Sequence, residues 1–145
     1  FCTPILVLNN WDLLTEEDKL NINSNLKTQL KKFSWLNVIR ISALTTKGLN
    51  KFSKTLNEVN SQLNNRIDTS DLNLYFRELW VAKPPHPFRG KRAKLKYVTQ
   101  YDISPPSFSF NLSSRIPKNY YSFIENKLRE EFGFKNVSLK IKYKT

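Results

Sequence analysis

The stretch PILVLNNWD at residues 4–12, together with VIRISAL at residues 38–44, decides the fold of the first half of this chain. Each stretch is an apolar run with polar residues close behind it, which is typical of a buried strand that ends at the carboxyl edge of a sheet. Open α/β folds place their ligands at this edge. The sequence therefore predicts two strands whose following loops lie side by side.

Polar residues in the two predicted loops indicate recognition of guanine. Asn9 and Asp12 follow the first strand with two residues between them. Ser42, Ala43 and Leu44 close the second. A carboxylate can accept two hydrogen bonds from guanine N–H groups, an Asn amide can meet the ring nitrogen on the other edge, and a backbone N–H can meet the carbonyl oxygen. Asn and Asp are also ordinary turn residues, so the first loop alone is equally compatible with a structural turn. The second loop makes guanine recognition the favoured interpretation.

The segments around these loops predict an α/β unit. Thr15 and the three acidic residues after it form an N-cap with an acidic first turn. Apolar residues at helical spacing mark two helices, with Ile22, Leu26, Leu30 and Phe33 in the first and Leu49, Phe52, Leu56, Val59 and Leu63 in the second. Strand, helix, strand, helix is the C-terminal portion of a doubly wound domain of the P-loop GTPase type. Because two strands stabilise such a sheet poorly, we expect this half to be marginal alone.

The phosphate-binding part of a GTPase is missing from this sequence. A P-loop needs two glycines five positions apart, followed by Lys and by Ser or Thr. The glycines here are Gly48, Gly90 and Gly133, and none has an Asp three residues before it. The chain also contains no Met. We therefore expect the C-terminal fragment of a longer GTPase, which has no catalytic residues, is inactive alone and holds no cofactor by itself.

The second half predicts an α-β-β-α-β unit. Two helices are marked by inner stripes. One stripe is Leu72, Phe76, Leu79, Trp80 and the aliphatic stem of Lys83, and the other is Tyr120, Phe123, Ile124, Leu128 and Phe132. Three strands are marked by alternation, in Leu95, Tyr97, Thr99 and Tyr101, in Phe108, Phe110 and Leu112, and in Val137, Leu139, Ile141 and Tyr143. We expect these alternating residues to face the helices in a two-layer α+β sandwich over residues 66–145.

Positive charge is concentrated in this second half. Residues 1–65 carry 8 Lys or Arg and 5 Asp or Glu, whereas residues 66–145 carry 16 and 7. If the first and third of these strands are neighbours, their outward lysines form one ridge that an anionic partner would stabilise. RNA is the favoured partner, and the candidate nucleic-acid residues are Lys94, Lys96, Lys140, Lys142, Lys144, Arg89, Lys91 and Arg92. The alternative is a solvated face that discourages edge pairing.

Composition argues against several other classes of protein. No apolar run approaches the roughly 20 residues of a membrane span, and no signal peptide is recognisable. The single Cys2 excludes an internal disulfide, and the single His86 argues against a zinc site. We therefore expect a monomeric cytoplasmic chain with no membrane partner and no metal site of its own.

Longer motifs resemble one family from the first residues to the last. They are NNWDLL, RISALTTKGLNKF, TSDLN, GKRAKLKYVTQYDISPPSFSF and YYSFIENKLREEFGF. These stretches look like the Der (EngA) family, bacterial GTPases with two tandem G domains. The most specific of them are TQ-x4-PPSF at residues 99–108 and IENKLREEFGF at residues 124–134.

The resemblance implies a domain arrangement and a role. Residues 1–65 would be the C-terminal part of the second G domain, and residues 66–145 would be the KH-like domain of this family. The intact protein would be a GTP hydrolase that binds GTP or GDP with Mg²⁺. It would act in ribosome biogenesis, where its partners would be rRNA, the precursor of the large ribosomal subunit and its own G domains.

The resemblance also assigns site residues by position. Asn9 and Asp12 would read guanine, and Ser42, Ala43 and Leu44 would form the neighbouring loop. The family motif is N-K-x-D, and Asn10 occupies the Lys position. Asn lacks the long stem that would lie over the guanine plane, so we expect weaker nucleotide binding.

The resemblance leaves the role of the KH-like domain open. Ordinary KH domains grip nucleic acid with a GXXG loop, which this sequence lacks. The lysine ridge or residues 89–92 would have to replace it. In the alternative, the domain is mainly a protein module that docks on a G domain and senses its nucleotide state.

Overall fold

The structure is a computed structural model that describes residues 2–145, with the side chain of Lys32 excepted. It consists of two compact units, of which the first ends at Ser61 and the second spans Gln62–Thr145. One sheet has two strands and the other has three. The content is therefore mixed α+β with small sheets. The domain limit expected between residues 65 and 66 stays a prediction.

The first unit is built around two parallel strands. Its elements are β1 (Ile5–Leu8), α1 (Glu16–Gln29), β2 (Asn37–Arg40) and all but the last two residues of α2 (Leu49–Leu63). Short 3-10 turns lie at Trp11–Leu13 and Lys31–Phe33. β1 and β2 pair from Ile5 opposite Asn37 to Leu8 opposite Arg40. Parallel neighbours need a crossover connection, and α1 provides it. Both loops that follow these strands therefore leave the same edge of the sheet.

The start of α1 confirms the predicted cap, but its inner stripe is poorly covered. The Thr15 hydroxyl accepts a hydrogen bond from the Asp18 backbone N–H at 3.2 Å, and the Asp18 carboxylate accepts one from the Thr15 N–H at 3.3 Å. No residue of α1 is fully buried, and Phe33 at the end of the predicted stripe is 51% exposed. Among the described residues of this unit, the buried apolar side chains are Ile39 and Val59. So small a core fits the expected low stability of this half.

The second unit has the α-β-β-α-β order expected from the sequence. Its elements are α3 (Thr69–Ala82), β3 (Leu95–Ile103), β4 (Pro106–Leu112), α4 (Lys118–Glu131) and β5 (Lys140–Lys144). β4 is the central strand, antiparallel to β3 and parallel to β5. β3 and β5 are therefore not neighbours, and the predicted single ridge of their lysines is wrong.

The core of this unit lies between the two helices and one face of the sheet. The buried apolar residues are Leu72, Phe76, Trp80, Ala93, Val98, Phe108, Phe110, Leu112, Ile116, Tyr120, Ile124, Leu128, Phe134 and Val137. The Phe76 and Phe110 rings meet edge to face, with centroids 4.9 Å apart. The helical stripes predicted around Phe76 and Ile124 are thus confirmed, as is the inward alternation of β4. Lys83 is the exception, because it is exposed at the C-cap of α3.

The alternation predicted for β3 is wrong. Val98 and Gln100 are the buried residues, at 0% and 3% exposure, whereas Tyr97 and Tyr101 are 48% and 42% exposed. Gln100 tolerates burial because its amide oxygen accepts from the Ile67 N–H at 2.8 Å and its amide nitrogen donates to a backbone carbonyl at 2.9 Å. A buried polar group costs little when both of its ends are paired. Two tyrosines are therefore left on the opposite face of the sheet.

Tyr120 ties α4 to the end of α3. Its hydroxyl donates to the Lys83 carbonyl at 2.6 Å, and burial raises the pKa of Tyr120 to about 12. The phenol therefore stays protonated at neutral pH, as this hydrogen bond requires. None of the helices formed by residues 2–145 combines the length and the apolar character that a bilayer crossing requires.

Candidate guanine-binding loops and basic sheet face

The loops after β1 and β2 are joined by direct hydrogen bonds. The Asn9 side-chain oxygen accepts from the Ala43 backbone N–H at 3.1 Å. The Trp11 N–H donates to the Ile41 carbonyl at 3.1 Å, and the Ile41 N–H donates to the Leu8 carbonyl at 2.9 Å. These bonds bring together two segments that are far apart in the sequence. The predicted guanine-recognition residues Asn9 and Ala43 are thus in contact. The N–H groups of Ser42 and Ala43, one of which was expected to meet the guanine carbonyl oxygen, donate instead to Lys47 and Asn9.

The second loop is held in a tight turn. Ser42 is 2% exposed. Its N–H donates to the Lys47 carbonyl at 2.9 Å, and its hydroxyl accepts from the Thr45 N–H at 3.1 Å. Ser42 therefore shapes the turn. Ala43 and Leu44 remain exposed beyond it.

Gly48 allows this turn to close, which sequence reasoning did not identify. Its φ is +84°, and a Cβ at this position would lie 2.3 Å from the Arg40 carbonyl oxygen of β2. Any other residue would force the backbone apart here. The sequence signal was only a glycine just before a helix, because the approach to β2 depends on the tertiary structure.

Asp12 and Asn10 lie at the exposed end of the first loop. Asp12 is exposed within the 3-10 turn that follows β1. Asn10 has a left-handed backbone with φ 59°, a conformation that Asn tolerates better than Lys does. The residue type at position 10 therefore suits its local backbone.

A cleft of about 230 Å³ adjoins the loops. Asp12 and Ser42 line it, but Asn9 and Ala43 do not. Arg40 forms part of its wall and lies over the Trp11 ring, with its guanidinium carbon 5.2 Å from the ring centroid. Asn9 and Ala43 therefore meet outside the lining of this cleft, whereas Asp12 and Ser42 belong to it. Within residues 2–145, no three Asp, Glu, His or Cys side chains cluster as metal ligands.

The candidate nucleic-acid residues fall into three places. Lys142 and Lys144 are exposed on β5, and they line a shallow depression on the face of the sheet opposite the helices. Lys140 pairs with Ser107 at the start of β5 and is half-buried. Lys94 and Lys96 are exposed at the far edge beyond β4, and Lys96 lies at a register shift of β3.

The third place is the segment between α3 and β3. Arg89, Lys91 and Arg92 are all exposed there. The backbones of Phe88 and Lys91 exchange two hydrogen bonds, at 2.9 and 3.1 Å. The Arg89 guanidinium lies 5.7 Å from the Phe88 ring centroid. This small turn gathers three cations outside the sheet face.

Sequence reasoning expected Tyr or Phe rings to stack on bases, but it placed Tyr97 and Tyr101 on the face that packs against the helices. The depression is lined by Tyr97, Tyr101, Ser109 and Asn111 as well as by the two lysines of β5. The Lys142 ammonium lies 4.9 Å from the Tyr101 ring centroid. No sequence signal distinguished these tyrosines from core residues, because alternation does not say which set faces the helices.

Comparison with known proteins agrees with this architecture. A family model described as the KH-domain-like of EngA bacterial GTPase enzymes, C-terminal, matches residues 66–144. The chain is 34% identical to the GTPase Der of Chlorobium limicola over 143 residues, which are 96% of this chain and 33% of that protein. It is 31% identical to the GTPase Der of Salinispora arenicola over 138 residues, 94% of this chain and 29% of that protein.

The chain thus spans about a third of the length of the curated relatives it matches. The family model covers more than half of the chain, and the α-β-β-α-β unit described above coincides with the matched residues. The chain therefore belongs to the family of KH-like domains found at the C terminus of EngA bacterial GTPases.

Proposed function

We propose that this chain acts as the C-terminal part of a GTP-binding protein, a GTP hydrolase of the Der type that works in assembly of the large ribosomal subunit. The first unit would be the closing portion of a doubly wound G domain and would recognise guanine. The second unit would contact rRNA. The similarity to proteins named GTPase Der supports the proposal.

The observation that carries the guanine-binding part is the hydrogen bond between Asn9 and Ala43. It holds the two loops at one edge of the β1–β2 sheet, where α/β folds bind ligands. Within residues 2–145, the amide nitrogen of Asn9 has no hydrogen-bond partner and stays available as a donor to a ring nitrogen. Asp12 lies three positions after Asn9. It is exposed, and its carboxylate can accept hydrogen bonds from the guanine N–H groups.

In this proposal the first unit contributes base specificity and not hydrolysis. The phosphates, the Mg²⁺ and the attacking water would be held by other parts of the intact protein, since phosphoryl transfer depends on groups placed around them. Asn9, Asp12 and the turn at Ser42 bind and orient the base.

Replacing Asp12 by Asn in the intact protein should exchange guanine for xanthine specificity. Xanthine carries a carbonyl where guanine carries its exocyclic amine, so the Asn amide can donate to it. Loss of charge-assisted hydrogen bonds should weaken GDP binding by about 30- to 100-fold, while xanthosine diphosphate should bind the variant better than the wild type. Titration with fluorescent nucleotides measures both affinities.

The matched control for Asp12 is Asp18→Asn, which removes the same charge from the first turn of α1. The Asp18→Asn substitution should lower the stability of α1. It should leave the ratio of the GDP affinity to the xanthosine diphosphate affinity unchanged. Equal loss of both nucleotides in the Asp12 variant, with no gain for xanthine, would contradict the proposed role of this carboxylate.

Replacing Asn10 by Lys should tighten GDP binding of the intact protein by about fivefold, since the added stem can lie over the guanine plane. The same change should lower stability by about 1 kcal/mol, because Lys fits the left-handed backbone less well than Asn. Calorimetric titration and thermal unfolding measure the two effects. Unchanged GDP affinity would show that position 10 does not contact the base.

The charge of the second unit supports contact with rRNA. Of the formal net charge of +12, most lies in residues 66–145, and the exposed cations include those at 89–92 and on β5. Phosphate neutralisation dominates the affinity of most RNA-binding surfaces. We therefore expect binding by the second unit that weakens as salt is raised.

A second candidate function for this unit is docking on a G domain of the same protein. Two apolar side chains of α3 favour it, since Leu74 is 62% and Val81 is 84% exposed. Because the two residues are seven positions apart, they fall on the same side of α3 and can meet one partner. The two functions use different surfaces, since Leu74 and Val81 belong to a helix and the lysines of β5 to the sheet.

A further inference from the structure

The outer face of the β3–β4–β5 sheet combines aromatic rings, cations and polar groups in one shallow depression. Its volume is about 290 Å³, and its lining includes Tyr97, Tyr101, Ser109, Asn111, Lys142 and Lys144. The strand register places these side chains in two rows. Tyr97, Asn111 and Lys144 form one row, while Ser109 and Lys142 lie in the next.

The two tyrosines leave much of their rings in solvent. Tyr97 is 48% and Tyr101 is 42% exposed. The opposite face of the same sheet holds the buried Phe108 and Phe110, so the tyrosines are not needed for the core of this unit. Exposed rings on a sheet offer flat surfaces on which unpaired bases stack.

The cations beside these rings are free to meet an anion. Among the described residues, neither Lys142 nor Lys144 forms an ion pair, and the depression has no carboxylate in its lining. The Asp102 carboxylate on β3 accepts from the Ile103 N–H at 2.8 Å and lies outside this lining. The face is therefore positively charged, which matches the charge of a phosphate backbone.

The floor of the depression contains an unpaired hydroxyl. Ser109 is 5% exposed, and its Oγ has no hydrogen-bond partner among residues 2–145. A buried hydroxyl without a partner is costly. Lys142, the residue opposite Ser109 on β5, lies over the Tyr101 ring. Displacement of this flexible side chain would expose the Tyr101 ring.

We propose that this sheet face binds single-stranded RNA, with bases stacked on Tyr97 and Tyr101 and phosphates contacted by Lys142 and Lys144. In the bound state Lys142 moves from the Tyr101 ring to a phosphate, and a base takes its place. The Ser109 hydroxyl then gains a partner on the nucleotide. This site rests on the proposed rRNA contact and deepens it, because it names the surface and requires unpaired bases.

The test uses the whole 145-residue chain and a fluorescein-labelled, unstructured RNA of about ten nucleotides. Fluorescence anisotropy gives the affinity across a salt series, with the same sequence as a duplex for comparison. The wild type should bind the single strand and bind the duplex more weakly, because paired bases cannot stack on the rings.

Two pairs of substitutions separate stacking from charge. Tyr97→Leu with Tyr101→Leu should weaken single-strand binding by at least about tenfold and leave the salt slope unchanged. The salt slope is the slope of log affinity against log salt concentration, and each phosphate contact contributes about 0.7 to its magnitude. Replacing Lys142 and Lys144 by Gln removes two contacts and should lower this magnitude by about 1.4. Tyr97→Phe with Tyr101→Phe keeps both rings and should bind like the wild type.

Matched controls distinguish this site from general basicity. Lys118→Gln with Lys135→Gln removes the same charge from exposed positions outside the depression and should change binding by less than about twofold. Circular dichroism of each variant checks that the fold is retained.

The outcomes separate this site from the proposed rRNA contact. In one outcome, RNA binding survives both pairs of substitutions on the sheet face but is lost when Arg89, Lys91 and Arg92 are replaced by Gln. That outcome would overturn the sheet site and keep the rRNA contact. Absence of binding to any RNA by the wild-type chain would overturn both, and would favour the protein-docking function of the second unit.

Discussion

Replacing Phe76 by Ala should lower the free energy of unfolding of the second unit by about 3 to 5 kcal/mol. Phe76 is fully buried. Its ring meets Phe110 edge to face at 4.9 Å and Tyr75 at 5.2 Å, and it stacks on Phe132 at 6.3 Å. Truncation removes contacts from both helices and the central strand at once, so no single neighbour can move to fill the cavity.

Native-state hydrogen exchange of the β4 amides measures this loss for the second unit alone, because the slowest amides report its global opening. Val81→Ala is the matched control on the same helix. Val81 is 84% exposed, and its truncation should change stability by no more than about 0.5 kcal/mol. A loss below about 1 kcal/mol in the Phe76 variant would contradict the packing of α3 on β4.

Replacing Arg129 by Met should lower the free energy of unfolding by about 3 to 4 kcal/mol. Arg129 is 8% exposed in α4. One guanidinium nitrogen donates to the Phe134 carbonyl at 2.9 Å and to the Val137 carbonyl at 2.7 Å. Met keeps most of the packed stem but leaves both buried carbonyls without this donor.

Urea unfolding measures the free energy of unfolding of the Arg129 variant. Glu125→Gln is its control and is measured in the same way. Glu125 pairs with Arg129 at 2.8 Å, but its side chain is 40% exposed, so loss of its charge should cost under about 1 kcal/mol. Equal losses in the two variants would mean that the ion pair, and not the carbonyl contacts, carries the stability. The carbonyl contacts also matter for the proposed RNA site, because the segment they hold leads directly into β5.

The sequence predicted the elements whose pattern is local. The stripes around Phe76 and Ile124 repeat at the spacing of a helix, and burial in the structure follows them closely. The N-cap at Thr15 could also be predicted, because its hydrogen bonds join residues three positions apart. The packing of the first helix, α1, could not be predicted in the same way. The spacing was present in α1, but no residue of that helix is fully buried, since burial depends on what packs against the stripe.

The closeness of the loops that carry Asn9 and Ala43 was expected from the order of strand, helix and strand, whereas the hydrogen bond between these two residues was not. Parallel strands joined by one helix must end at the same edge, so the sequence already placed the two loops together. It did not reveal Gly48 as the residue that lets the turn close on β2, because that requirement is a distance between backbones that are distant in the sequence.

The sheet of the second unit shows most clearly what tertiary structure decided. Strand β3 has two alternating sets of side chains, one with Tyr97 and Tyr101 and the other with Val98 and Gln100. Residue polarity favoured the set with the tyrosines as the one that faces the helices. Gln100 can be the inner residue because its amide pairs with backbone groups near the start of α3. The central place of β4 likewise depends on how the chain returns through α4. By itself, the sequence determined the elements and the neighbouring loops, since these follow from spacing and order. Only long-range hydrogen bonds and strand order decided which face of β3 is open to a partner.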